Sequence, residues 1–263
     1  MRLPHISSVA KKSFNLEGRR ALIITTSQAT LDKVDSVTRE VIKTGKPTGV
    51  YASEMTEPYY VFKDAGMNVD IASILGGNIP IEKLSLRPLV RTAEDNRFLK
   101  DDEFQNKVQS SVSITDVNID LYNVIFIAGG WGAAYDLAQS EELARKVSSA
   151  YASKKVIGAV CHGPLGLTNA IKPDGSALVE GVNVTGVTNK QLKELMVGNT
   201  PKHPETELRS KNALYQSNNG LIDMFKSLVV VDHEHRIVTG QNQKCGVETA
   251  QSMLQLLVDN QSN

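Results

Sequence analysis

A cysteine followed directly by histidine, glycine and proline, Cys161-His162-Gly163-Pro164, is where residue types and spacing most favour covalent chemistry. The preceding run Val156–Val160 reads as a buried strand, and Leu165–Ala170 is compatible with a helix. A strand that turns straight into a helix holds its corner residue in a strained conformation, which neighbouring glycines make room for. Cys161 would then stand at the carboxyl edge of a sheet, where open α/β sheets bind ligands, with helical N–H groups favouring thiolate over thiol. Local sequence leaves a second reading open, an inert cysteine ending a hydrophobic strand.

Two further features could serve the same sulfur. The loop Ala128-Gly129-Gly130-Trp131-Gly132-Ala133 closes an earlier apolar run, and its glycine N–H groups, with that of His162, could bind charge developing on a carbonyl oxygen. Gly129, Gly130 and Trp131 are therefore candidate substrate-binding residues, although a Gly-Gly loop also serves as a plain turn. It lacks the G-x-G-x-x-G spacing of a dinucleotide site. Glu54 follows the strand-like Thr48–Ala52 and precedes a helix predicted over Thr56–Ala65, with Pro58 in its first turn and Gly66 after its end. A carboxyl there would be partly desolvated and would exchange protons near neutrality, or would simply complement the helix dipole.

The remaining candidates point to structural roles. His5 lies in an irregular N-terminus, and His233 and His235 flank Glu234 in a predicted hairpin turn with no spaced third metal ligand. Cys245 is expected to start the last helix and to pack. No metal and no cofactor is expected.

Around these residues, short β-rich runs at 21–25, 48–52, 69–72, 124–128, 156–160, 182–187 and 228–232 alternate with helix-like segments. Helices are predicted over 141–152 and 247–258 from the spacing of Leu143 and Val147, and of Val247, Ala250, Leu254 and Leu257. The pattern predicts an α/β domain with a doubly wound, mostly parallel sheet and helices on both faces. Residues 76–118 and 189–227 are polar and weakly periodic, and read as inserted excursions; 1–18 reads as an N-terminal extension to a single domain over 19–263. Lysine plus arginine equals aspartate plus glutamate at 29 each, so no net field draws the chain to nucleic acid or an anionic membrane. No apolar run approaches the ~20 residues of a membrane span, and the basic N-terminus lacks a signal-like apolar core, so a cytoplasmic location is expected. Two cysteines are no disulfide framework.

Taken in order, these motifs resemble the DJ-one/PfpI superfamily within the class I glutamine-amidotransferase-like, flavodoxin-like fold, and specifically its glyoxalase III and heat-shock chaperone branch. The resemblance covers most of the chain. It rests on Glu54 and its surroundings, Asn96-Arg97-Phe98-Leu99, Ala128–Ala133 with Tyr135-Asp136, Ala159–Pro164, Asp174-Gly175 through Val184-Thr185-Gly186, and Thr239-Gly240-Gln241-Asn242. It implies that Cys161 is the nucleophile, His162 its neighbour in a catalytic pair and Glu54 the acid-base carboxyl. The implied reaction converts methylglyoxal to lactate through a cysteine hemithioacetal, without glutathione or metal, in a cytoplasmic homodimer acting on a small carbonyl compound. A stress-related holding chaperone and a cysteine hydrolase or amidase are the alternatives.

Three departures stand out. Trp131 occupies a loop position where relatives usually carry histidine. Thr188-Asn189 is followed by Lys190, Gln191 and Leu192 where an acid would orient the histidine, which leaves Asn189, Glu194 or no residue as third member of a triad. Lys202-His203-Pro204 precedes Glu205 in place of an apolar run.

Overall fold

A computed structural model describes residues 14–35, 38, 40–195, 197, 200–218 and 226–260. His5, most of the expected 1–18 extension and the Asn219-Gly220 turn lie outside the described residues.

Strand β1 (Arg20–Thr25) is followed by a small antiparallel ribbon, β2 (Lys33–Val34) with β3 (Val41–Lys43), and by helix α1 (Ala52–Asp64). Then come β4 (Asn68–Ser73), α2 (Ala93–Phe98), α3 (Asp102–Gln109), β5 (Val112–Ser113) and β6 (Val124–Ile127). The chain continues through α4 (Ala133–Asp136), α5 (Glu141–Ala152) and β7 (Val156–Val160). Next are β8 (Asn183–Val184), α6 (Asn189–Glu194), α7 (Pro204–Ser210) and β9 (Leu214–Tyr215). The hairpin β10 (Val229–Asp232) with β11 (Ile237–Gly240), and α8 (Gly246–Asp259), close the described chain. The central sheet runs β10-β11-β7-β6-β1-β4-β5, antiparallel at its β10–β11 edge and parallel elsewhere.

The sheet is covered on both faces, which is why its strands read as continuous apolar runs. Ala21, Ile23, Val124, Phe126, Val156 and Val160 face one core with Met55 and Phe62 of α1 and Met253 and Leu254 of α8. Their neighbours Leu22, Ile24, Ile125, Ile127, Ile157 and Ala159 face the other core with Leu143 and Val147 of α5. Each fully buried aliphatic side chain here contributes about 1.5–3 kcal/mol. This packing fixes the carboxyl ends of β6 and β7, which carry the Gly-Gly loop and the cysteine.

The expected doubly wound, mostly parallel sheet is thus present, and several local expectations are revised. Residues 48–52 form no strand: Val50 makes an isolated bridge to Ile81, and α1 already begins at Ala52. Pro58 therefore lies inside that helix rather than in its first turn, because Ala52–Glu57 is buried and packed as helix ahead of it. The 182–187 run contributes only β8, paired with β9 outside the main sheet. Residues 76–118 contain α2 and α3, whose starts are capped by Thr92 and Asp101 side chains.

Candidate active site

At the end of β7 the backbone turns sharply. Cys161 adopts φ +58°, a left-handed conformation that costs a non-glycine residue about 1–2 kcal/mol. Two neighbours hold it there: the Cys161 N–H donates to the Gly240 carbonyl at 2.9 Å, and its carbonyl accepts the Val187 N–H at 3.0 Å. The chain does not continue into an α-helix as expected. Gly163–Leu167 makes a short 3-10 segment, since two glycines and a proline within it disfavour an α-helix. Electrostatic support for the sulfur therefore comes from individual backbone N–H groups, those of His162 and Gly130, rather than from a helix dipole.

Glu54 reaches the sulfur from the first turn of α1, almost fully buried at 1% exposure. Its Oε2 accepts the Gly129 N–H at 2.9 Å. Only glycine fits there, because a Cβ on Gly129 would stand 2.6 Å from that oxygen and 2.6 Å from the His162 nitrogen. The Gly129 N–H is thus spent on Glu54, the N–H of Gly130 is shared between Glu54 and the Cys161 sulfur, and that of His162 faces the sulfur. The other Glu54 oxygen, Oε1, has no conventional hydrogen-bond partner, and the carboxyl interacts directly with the Cys161 thiol.

Burial pushes the Glu54 carboxyl up to about 8, partly offset by the Cys161 thiol and the N–H groups of Gly129 and Gly130. Burial also pushes the Cys161 thiol up, and an ionised Glu54 beside it adds to that rise. Both groups therefore resist ionising, and near neutrality both hold their protons; loss of one leaves a singly protonated pair. When its proton sits on Glu54, the N–H groups of His162 and Gly130 favour the negative charge on sulfur. His162 is fully buried, with Nδ1 3.6 Å from the Cys161 Sγ, and burial followed by the neighbouring His203 pulls its imidazole down to about 3. It is a neutral ring.

Residues 46–255 match the DJ-1/PfpI family. The chain belongs to the DJ-1/PfpI family. Glutathione-independent glyoxalase hsp3101 of Schizosaccharomyces pombe is 31% identical over 223 residues, which cover 81% of this chain and 88% of that protein. The Rapid Encystment Protein 24 KDa of Francisella tularensis superposes with a TM-score of 0.79 at 32% identity, covering 91% of this chain and 99% of its own. Glyoxalase III from Candida albicans superposes with a TM-score of 0.76 at 25% identity, covering 90% of this chain and 97% of its own.

This DJ-1/PfpI chain surrounds its elbow with its own set of walls. Trp131, partly buried, packs against an apolar cluster of Cys161, Val187, Leu192 and Val197. Neither candidate third member of a triad acts on His162. Asn189 is bonded to Thr206 and Glu205, and the exposed Glu194 lies 3.8 Å from Lys190. Gln191 is buried and closes a capping box with Thr188.

Residues not anticipated also stand near the site. Tyr51 directly precedes α1, three residues before Glu54. Its phenol is pushed up to about 12 by burial, with Glu54, Asp95, Cys161 and Glu82 adding to the rise, so it stays a neutral O–H donor. The signal in the sequence was its place at the entry to the helix that carries Glu54. Glu57, one turn beyond Glu54, accepts the Val247 N–H at 3.2 Å and is pushed up to about 8 by burial and by Glu94 and Asp95. Asp136, already part of the quoted Tyr135-Asp136 motif, is partly buried, which pushes its carboxyl up to about 6, and it accepts from Thr26 Oγ1 at 2.9 Å and Ser27 N at 2.7 Å, which anchors the loop after β1.

The other candidates lie elsewhere. His235 Nδ1 meets Asp232 Oδ1 at 2.8 Å in the hairpin turn. Among the described residues no group of three or more histidine, cysteine or acidic side chains is arranged to hold a metal. Cys245 precedes α8, buried in the core, with its sulfur near the Leu228 carbonyl and Asn242 Oδ1. No helix among the described residues is long and apolar enough to cross a membrane.

Proposed function

We propose that this chain is a glutathione-independent glyoxalase that converts methylglyoxal or a related small 2-oxoaldehyde to the 2-hydroxy acid, with Cys161 as nucleophile and Glu54 as proton carrier. The observation that carries this reading is the buried Glu54 carboxyl set directly against the Cys161 thiol, with Gly129 holding its second oxygen. The names of the relatives from Schizosaccharomyces pombe and Candida albicans support the same reaction class.

The thiolate adds to the aldehyde carbon, and the proton on Glu54 passes to the aldehyde oxygen, giving a hemithioacetal. Negative charge on that oxygen during attack is met by the N–H groups of Gly130 and His162. Glu54, now a carboxylate, removes the hydrogen from the former aldehyde carbon to leave an enediolate and returns it to the adjacent carbon, while the hydroxyl proton passes from the former aldehyde oxygen to the neighbouring oxygen. The product is a thioester of the 2-hydroxy acid. Water hydrolyses it, releasing the acid and restoring one proton to the Glu54–Cys161 pair. No net oxidation occurs: one carbon is oxidised and its neighbour reduced.

Incubating the purified chain with methylglyoxal in D2O, without glutathione or added metal, tests this by proton NMR and chiral chromatography. The expected result is D-lactate, with deuterium at C2 to the extent that Glu54 exchanges its proton with solvent. Absence of lactate would overturn the reading.

A further inference from the structure

One short stretch of chain holds both halves of the Glu54–Cys161 pair. At its start, the Gly240 carbonyl accepts the Cys161 N–H at 2.9 Å and so grips the strained corner. At its end, the Val247 N–H donates to Glu57 Oε2 at 3.2 Å, and Glu57 lies one helical turn beyond Glu54 on α1. Between them, the hydroxyl of Ser53, next to Glu54, donates to the Gln243 carbonyl at 3.5 Å.

Close packing joins the two ends of this stretch. A Cβ on Gly240 would stand 2.5 Å from the Cys245 Cβ, 2.6 Å from Thr249 Oγ1 and 2.9 Å from a Val160 methyl, which seats the start of α8 on the strand ends that place Cys161. A Cβ on Gly246 would run into Glu57 Oε2, so glycine leaves room for the carboxyl against the first turn of α8. Glu57 is buried, and with its carboxyl pushed up to about 8 it carries a proton near neutrality. Burying a carboxyl carries a desolvation cost that an apolar side chain of that length would not, and what distinguishes it is the directional bond to Val247. The neighbouring ties of α1, Ala52 N–H to Ser85 Oγ at 3.0 Å and Thr56 Oγ1 to Asp95 Oδ1 at 2.6 Å, go to residues outside the 240–247 stretch.

We propose that Glu57 is a positioning residue for the Glu54–Cys161 pair: by holding the Val247 N–H it fixes the turn of α1 that presents Glu54 against the same stretch that holds Cys161. Apolar packing alone leaves a helix free to adjust along its axis, because it has no preferred direction. The Glu57 bond removes that freedom where the carboxyl must meet the sulfur.

The test uses the full chain with two variants. Glu57→Met keeps the length of the side chain and removes the acceptor, and Gly246→Ala expels the carboxyl from the α8 side while favouring the helix. Either variant suffices should the other not fold. The first readout is the Gly129 amide, whose N–H donates to Glu54 Oε2. Its proton resonance should move upfield and its hydrogen exchange should quicken roughly tenfold, as a hydrogen bond to the carboxyl loosens. The second readout, which rests on the glyoxalase reading, is turnover of methylglyoxal at matched folded fraction. There kcat should fall roughly 10- to 100-fold, the loss that a misplacement of about 1 Å brings. Glu57→Gln, which keeps an acceptor oxygen and resembles the protonated acid, should recover both readouts to within roughly threefold. The proposal is overturned if the Gly129 amide of the folded variants matches that of the intact chain, or if Glu57→Gln is as impaired as Glu57→Met. A chain with no turnover of methylglyoxal would refute the proposed function, and the Gly129 amide would still decide this inference.

Discussion

The carboxyl of Glu54 and the thiol of Cys161 lie side by side in a space closed to bulk water, so their two ionisations oppose each other. Below about 8 both groups hold their protons; above it one proton leaves the pair, and burial together with the remaining charge keeps the second in place to higher pH. That singly protonated pair is the form that can hold its proton on the carboxyl and its charge on the sulfur. Accordingly, kcat/KM should rise as pH climbs through about 8, and a profile that falls through that range would contradict the assignment.

Glu54→Gln separates stability from catalysis. The folded carboxyl is raised above its unfolded value near 4.5, so the wild-type chain loses stability as pH climbs from there toward about 8, whereas glutamine is indifferent. The variant should be more stable than wild type near pH 8, on the order of 1–3 kcal/mol, and nearly equal to it near pH 4. Urea unfolding at the two pH values measures this. Turnover should drop by roughly 100-fold or more.

Gly129→Ala should damage both. The new methyl would press on Glu54 Oε2, the His162 nitrogen and the Val160 carbonyl oxygen at 2.6, 2.6 and 2.8 Å, two of them rigid backbone. A stability loss of about 1–3 kcal/mol is expected from such overpacking, with loss of activity beyond what the lower melting temperature explains. Thermal unfolding alongside kinetics at a temperature where the variant is folded provides the check.

Trp131 sets an apolar wall against Cys161, Val187, Leu192 and Val197. Replacing it with alanine should lower kcat/KM for phenylglyoxal more than for methylglyoxal, by roughly tenfold or more in the ratio, since an aromatic substituent loses its packing surface and a methyl loses little. Equal losses on both substrates would remove Trp131 from specificity.

The turn at Cys161 was legible because its signal is local, a buried strand, a corner residue and small neighbours within Val156–Gly163, whereas the backbone bonds to Gly240 and Val187 that hold it were not. The sheet was legible for the same reason, since strands buried on both faces leave uninterrupted apolar runs. The bond from Gly129 to Glu54 was not, because it joins residues 75 apart in sequence and depends on how α1 packs against β6. The strand-like Thr48–Ala52 misled through its β-branched and aromatic residues; their burial comes from loop and helix packing at Val50 and Ala52. Helices α2 and α3 escaped notice because they are short and polar, and their signal lies in the caps Thr92 and Asp101 rather than in apolar spacing. His203 drew attention only as a break in an expected apolar run, and its effect on the His162 ring needed the folded chain.

The central claim is that Cys161 forms the covalent link to substrate. Its most direct measurement is lactate production from methylglyoxal without glutathione, by wild type and by Cys161→Ala in parallel at matched folded fraction. The account predicts ready turnover by wild type and a loss of at least roughly 1,000-fold in the variant. Lactate formation by Cys161→Ala at a rate near wild type would contradict it.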